Sequence, residues 1–435
     1  MLKKSKKKLA VLSVISLALI GSLFLFAGCG SGETTETGDV TDQEIIKIGV
    51  IYALTGSSAP TGLDQKKAIE LGGEIVNGDY PDLNLPMAAG EGITNLNGAK
   101  IEFVFANSEG SAEKGASEAE RLINQEGVVA LMGCYQSSVV ASASQVAERA
   151  GIPFFVVESS SPTLTERGFK NIFRQGPHDA MFGDYTFNYL NSVKNQYDIK
   201  TVAMIYENTD FGKDSAASWT KNAEAGGYEI VASMPYPANT TSMNSEEQKL
   251  KAADPDVVLA ASYVSDATLL MKTFKENNYM PTLIAQDAGF VEQDYFKILG
   301  ADAEYTITRE AYCSDYSAKN ENAKKVGEMF NEKYGIANLN GNTARAVQAP
   351  LILADAINRA GSADPAAIRD ALAATNISCD QLIMPWSGIK FDENGQNQAI
   401  NVLICQVQGG KYVTVWPEEY ATADVVWPYP AWSER

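Results

Sequence analysis

One histidine, His178, is all that the 435 residues offer for imidazole chemistry. A Ser-His-Asp hydrolase would have to use it, in the link Gly176-Pro177-His178-Asp179, where a histidine is far more often structural. The chain also lacks a GxSxG elbow, an HExxH helix and a phosphate-cradling GxxxxGK[ST] loop. Cysteine is scarce: there are five, none at CxxC spacing, which excludes a zinc site of that kind. Basic residues are in deficit, 35 Lys and Arg against 54 Asp and Glu for a formal charge of -19, which argues against a nucleic-acid partner. Beyond the N-terminus no second hydrophobic run reaches membrane length. These absences together lead us to expect neither an enzyme nor a cofactor.

What is present begins with Lys3, Lys4, Lys6, Lys7 and Lys8, an apolar stretch from Leu9 to Phe26, and Ala27-Gly28-Cys29. Basic, apolar and small segments in that order read as a signal peptide over residues 1–28. A spanning helix is the alternative, since about 18 apolar residues approach the thickness of a bilayer. Cys29, followed by Gly30-Ser31-Gly32, resembles the lipobox of bacterial lipoproteins, with Phe26 where leucine is usual. That resemblance implies a lipid on Cys29 and anchoring to the outer face of the cytoplasmic membrane. Residues 29–44, rich in Gly, Thr and Glu, then read as a flexible tether with a reach of roughly 20 Å.

Five of the 35 basic residues lie in the leader, so its removal leaves 30 against 54 acidic ones and a formal charge of -24. Such a balance keeps a protein soluble and says nothing specific about what it binds. The remaining cysteines are Cys134, Cys313, Cys379 and Cys405. An oxidising compartment permits disulfides, and Cys379 and Cys405, flanking a hairpin-like region, are the better pair; free buried thiols are the equal alternative.

The body of the chain alternates short apolar runs with amphipathic stretches. Strands are expected at Ile46–Ala53, Ile101–Phe105, Val128–Met132, Pro153–Val157, Thr201–Tyr206, Asp256–Ala261 and Thr282–Ala285, with helices such as Ser137–Arg149 and Phe211–Ala225 between them. Continuous apolar strands separated by helices predict an α/β fold with parallel sheets covered on both faces. A mature chain of this length calls for two lobes. The pattern breaks near Phe173–Pro177 and again near Thr308–Tyr316, so we expect one lobe from 45–175 plus 312–385 and a second from 176–311 plus 386–435. The tail from Trp386 reads as hairpins with turns at Glu393-Asn394-Gly395 and Gly409-Gly410. Residues 77–97 lack periodicity and read as a surface insertion, functional or decorative.

Three segments together resemble the branched-chain amino-acid binding proteins, type I periplasmic binding proteins that serve ABC importers: IKIGVIYALTGSSAPTG, VALMGCYQSSVVASASQVAERAGIPFFVVESSSPTLTERGFKNIFRQGP and TVAMIYENTDFGKDSAASW. The resemblance covers nearly all of residues 45–435. It implies two Rossmann-like lobes joined by three crossovers, a ligand in the cleft between them, a monomer, and permease and ATPase subunits as partners.

Read physically, Ser137 and Ser138 open a helix after a strand, where unpaired N–H groups favour a carboxylate; plain N-capping is the alternative. The resemblance places Ser137 at a carboxylate-binding position and Ser159 and Ser160, in Glu158-Ser159-Ser160-Ser161-Pro162, where a loop holds carboxylate and ammonium. It matches Asp287 to an ammonium-binding acid that is usually glutamate, and Phe211 and Tyr263 to aromatic positions covering the ligand. Thr61 stands where many members carry an aromatic ring, which implies a wider or more polar pocket. The expected function is capture of a small polar molecule, an amino acid, by hinge closure. A non-amino-acid ligand (amide, nucleoside, sugar or short peptide) and a ligand-sensing subunit of a membrane receptor are the alternatives.

Overall fold

The computed structural model describes residues 44–434, except the side chains of Gln286 and Asp287. The leader, Cys29 and nearly all of the tether lie outside the described residues. Among the described residues no helix is long and apolar enough to cross a membrane.

The first apolar run, IIKIGVIY, forms β1 (Ile45–Tyr52), buried over its last five residues because helices cover both faces of its sheet. It is followed by β2 (Lys100–Asn107), β3 (Ala130–Gly133), β4 (Phe154–Val156) and β5 (Ile172–Arg174). These pair in the order β2-β1-β3-β4-β5, all parallel. The second sheet starts with β6 (Thr201–Glu207), β7 (Glu229–Tyr236), β8 (Val257–Ala261), β9 (Leu283–Gln286) and β10 (Ile307–Glu310). A short antiparallel pair, β11 (Asn376–Ser378) and β12 (Gly388–Lys390), intervenes before β13 (Leu403–Gln408) and β14 (Lys411–Trp416). The second sheet runs β14-β13-β10-β9-β8-β6-β7, with β13 and β14 antiparallel to their neighbours.

Four strands do not show in the sequence pattern, one of them the three-residue β11. β7 is a half-exposed edge strand that mixes polar residues with Pro235. β10 carries Arg309 and Glu310 into the core, which breaks its apolar run. β5 is three residues long.

The chain leaves the first sheet after β5 through the helix Asp179–Tyr197 and returns after β10 to two helices, Glu321–Tyr334 and Gly341–Ala360. The latter packs along the helix Ala59–Asn77 of the first lobe. Where the sequence pattern sets the last crossing at 386, backbone pairing keeps the chain with the first sheet further on. β12 pairs with β11, Arg174 bridges to Gln396, and second-sheet pairing resumes only at β13. Gly395 makes that turn possible: its φ is +76°, and a Cβ there would sit 2.0 Å from the Ile172 carbonyl oxygen.

The insertion 77–97 is tied to the first lobe. Leu83, Leu85, Ala88 and Ile93 are buried in the core, and the Asn84 amide N–H donates to Asn322 Oδ1 at 3.0 Å. Of the cysteines, Cys405 is buried beside Leu403 and Cys313, whereas Cys379 is exposed, and all four thiols are free. The Cys379–Cys405 pairing is therefore not formed, because β13 carries Cys405 into the core.

Candidate functional site

The carboxyl ends of β3, β4, β8 and β9 converge on one cavity, the place where open α/β sheets bind ligands. The first lobe lines it with Tyr135, Ser137, Glu158, Ser159 and Ser160. The second contributes Phe211, Tyr263 and Ala288, and the helix Gly341–Ala360 adds Asn342 and Arg345.

Ser137 is the first residue of the helix Ser137–Ala150, and Gln136 occupies the N-cap without a side-chain cap bond. Ser137 is therefore not the capping residue. Its Oγ accepts from the Ser161 amide at 3.3 Å, which turns it toward the Glu158–Pro162 loop. Ser159 Oγ donates to the carbonyl oxygens of Cys134 (2.7 Å) and Tyr135 (3.0 Å), clasping this loop to the one after β3. The Ser160 carbonyl accepts from the Asp179 amide at 2.7 Å.

Beneath the loop lies Arg174, fully buried, with Nη1 on the Ser161 carbonyl at 2.6 Å, Nη2 on Thr165 Oγ1 at 3.1 Å and Nε on Gln396 Oε1 at 2.6 Å. Planar guanidinium forks hold several acceptors at once, so Arg174 fixes the serine loop's shape. Burial presses its pKa down to about 10, leaving it charged in any physiological range.

Five residues at the cavity were missed in sequence, Ala288 after β9 among them. Glu158 accepts the Tyr52 hydroxyl on both carboxylate oxygens, at 2.8 and 2.9 Å. Burial, with Glu158 alongside, holds the Tyr52 phenol well above its ordinary range. Arg345 places Nε on the Gly341 carbonyl at 2.8 Å and Nη2 on Asn342 Oδ1 at 2.7 Å, and Asn342 Nδ2 donates to Glu292 Oε1 at 2.7 Å. The available signal was an arginine inside the apolar run Ala344–Val347, a residue type seldom buried without partners. Tyr135 offered none, since an aromatic after a strand reads as core.

From the second lobe, Phe211 lies 5.3 Å from Tyr263, ring centre to ring centre, and Tyr263 lies 5.1 Å from Tyr135 across the cleft. Tyr263 is approached closely by the segment after β9, because Gly289 has no side chain. A Cβ there would fall 2.2 Å from the Tyr263 carbonyl carbon. Asp287 follows β9 directly in the chain, but its side chain lies outside the described residues.

Two expected residues stand elsewhere. Thr61 is buried in the helix Ala59–Asn77, its Oγ1 without a hydrogen bond among the described residues, and does not line the cavity. Ser138 lines a neighbouring cavity of about 100 Å³ at the cleft mouth.

The inner cavity holds about 20 Å³. That is room for a single water and for no amino acid. The lobes are thus closed on each other, latched by Tyr135 against Tyr263, by Ser57 Oγ to Asn239 Oδ1 at 3.0 Å and by Ser161 Oγ to Asp214 Oδ2. Entry of a ligand requires them to part.

His178 caps the helix Asp179–Tyr197, its Nδ1 accepting from the Met181 amide at 3.2 Å. Burial, with the Arg174 charge beside it, lowers its pKa to about 3, so the ring is a neutral acceptor. That is a structural assignment, and a base tied to a backbone amide is poorly placed to activate a serine. Among the described residues no cluster of His, Cys, Asp and Glu could hold a metal ion.

A family model described as periplasmic binding protein matches residues 45–411. Leu/Ile/Val-binding protein homolog 8 of Brucella abortus is 30% identical over 423 residues, 94% of this chain and 98% of the relative. Among solved structures, the branched-chain amino acid transporter substrate binding protein LivJ of Streptococcus pneumoniae, in complex with isoleucine, superposes with a TM-score of 0.72 at 21% identity. The match covers 86% of this chain and 100% of that one. An ABC transporter solute binding protein of R. palustris, in complex with benzoate, gives 0.74 at 20% identity, covering 87% and 98%. The shared architecture is the two-lobed type I fold. With the family model spanning well over half of its residues, the chain belongs to the periplasmic binding protein family.

Proposed function

We propose that this protein is the extracytoplasmic solute-binding component of an ABC importer, and that it captures an amino acid by closing its two lobes over it. The observation that carries this reading is the cavity at the strand ends, built from both lobes and from no recognisable catalytic constellation. The relatives support it. One is named for Leu/Ile/Val binding, one neighbour holds isoleucine and another benzoate, ligands that share a carboxylate.

In this reading the ligand carboxylate sits at the amino end of the helix Ser137–Ala150, near Ser137 and the Ser159–Ser160 loop, where helix-terminal amides and hydroxyls favour an anion. Asp287 meets the ammonium, and Phe211 and Tyr263 cover the bound molecule. Cys29 carries the lipid anchor, and permease and ATPase subunits read the closed form. The protein performs no chemistry on its cargo.

The test is a thermal-shift screen of amino acids, amides, nucleosides and aromatic carboxylates on protein refolded to remove copurified ligand. A stabilisation of several degrees by an amino acid, lost in Ser137→Ala, is the expected result. Stabilisation confined to nucleosides, amides or aromatic carboxylates would overturn the amino-acid assignment.

A further inference from the structure

Outside the inner cavity, on the other side of Tyr263, the cavity of about 100 Å³ has an uncommon wall. Glu207, at the end of β6, and Asp266, in the first turn of the helix Val264–Glu276, both line it and are only 4% and 1% exposed. They are close enough for the Asp266 charge to raise the Glu207 carboxyl. One oxygen of each is partly satisfied: Thr209 Oγ1 donates to Glu207 Oε2 at 3.0 Å and Ser265 Oγ to Asp266 Oδ1 at 3.2 Å. No lysine, arginine or histidine lines this cavity; a third carboxylate at its rim, the exposed Glu109, pairs with Lys114, whereas neither Glu207 nor Asp266 enters an ion pair among the described residues.

A second observation points the same way from the opposite lobe. Gln136 is 6% exposed and lines the same space, yet among the described residues its Oε1 has no hydrogen-bond partner. Buried acceptors are normally satisfied, and buried carboxylates normally meet a cation. Two carboxylates and an amide carbonyl, all acceptors, therefore face one another across a cleft that opens and closes. Burial holds Glu207 at about 7 and Asp266 at about 6, as expected where no protein cation compensates them.

We propose that the captured molecule carries a second cationic group, as in a diamino or guanidino acid, and that this group sits between Glu207 and Asp266 with Gln136 Oε1 as a further acceptor. The inference rests on the amino-acid capture reading and names the ligand class within it. Tyr263 is the wall shared by the two cavities, so a ligand whose carboxylate and α-ammonium occupy the inner one extends past this ring into the outer. The lining of the outer cavity, polar and acidic, is the wrong surface for a branched aliphatic side chain and the right one for an ammonium or guanidinium.

Calorimetry on the refolded protein with lysine, ornithine, arginine, leucine and norleucine tests this, norleucine being lysine's near-isostere without the terminal amine. Lysine, ornithine or arginine should bind at least tenfold tighter than norleucine, and Glu207→Gln or Asp266→Asn should each lower that preference at least tenfold. Both substitutions replace a buried charge by a neutral amide of the same shape, and a thermal melt of each confirms folding. Norleucine or leucine binding as tightly as lysine overturns the second cation and leaves amino-acid capture standing. No binding of any amino acid overturns both. Calcium or sodium alone stabilising the wild type, with loss in both variants and no basic amino acid bound, assigns the carboxylates to a metal ion and overturns the proposal as well.

Discussion

The phenol of Tyr52, at the end of β1, lies 2.8 and 2.9 Å from the two carboxylate oxygens of Glu158, just past β4, and both residues are buried. The contact reaches across β3, which separates the two strands in the sheet, so it fixes the floor of the inner cavity from beneath. Replacing Tyr52 by Phe removes a hydrogen bond to a charged group. We expect a loss of about 1.5 to 3 kcal/mol of stability by urea denaturation, with weaker ligand binding from a loosened Glu158 loop. An unchanged midpoint would show that the bond is not formed in solution.

Gly289→Ala places a methyl 2.2 Å from the Tyr263 carbonyl carbon, against backbone that cannot yield as a side chain tip would. Tyr263 must shift, and it is both the latch to Tyr135 and the cover of the cavity. The expected outcome is a folded protein whose affinity falls by about tenfold, near 1.4 kcal/mol, by calorimetry.

Asp287→Asn should weaken binding of an amino acid by more than about tenfold, since it removes a charge-assisted partner for an ammonium. Unchanged affinity would take the acid out of the site and leave the ammonium to Glu158, the buried carboxylate at the inner cavity.

The Glu207 and Asp266 carboxyls predict a pH dependence of stability in the ligand-free protein. Burial raises both above their unfolded values, to about 7 and about 6, so the folded chain binds more protons than the unfolded one from roughly pH 4 to 7. Their contribution is therefore fully present at the acid end and is lost as pH rises through 6 and 7. His178 acts oppositely, its depressed pKa of about 3 costing stability as pH falls below about 6.5. Comparing wild type with Glu207→Gln isolates the carboxyl term. The variant should lose less stability between pH 5 and 7.5, as read from urea midpoints, and an identical slope would exclude Glu207 as its source.

The parallel strands with continuous apolar runs were legible because burial on both faces leaves nothing else their sequences could encode. Strands whose sides differ were not: β7 at the sheet edge, and β10 with Arg309 and Glu310. At the site, Ser137, Ser159 and Ser160 sit where hydroxyls at strand ends are expected. Arg345 and Asn342 reach it from a helix roughly 180 residues away in the chain, a juxtaposition that periodicity and local motifs do not carry. Thr61 shows the converse: the resemblance matched it to a position beside the ligand, but the helix begins at Ala59 and turns it inward.

The ring contact of Tyr135 with Tyr263 joins the two lobes, and such a pair contributes about 0.5 to 1.5 kcal/mol beyond the area it buries. Only the parted fraction of molecules accepts a ligand, so the apparent Kd is the intrinsic one divided by that fraction and binding is weakened accordingly. A transporter that recognises the joined shape then also meets carriers with nothing to deliver. Under the proposed import role, thinning the contact between the two tyrosines should lower transporter turnover without cargo while slowing the docking of loaded carriers.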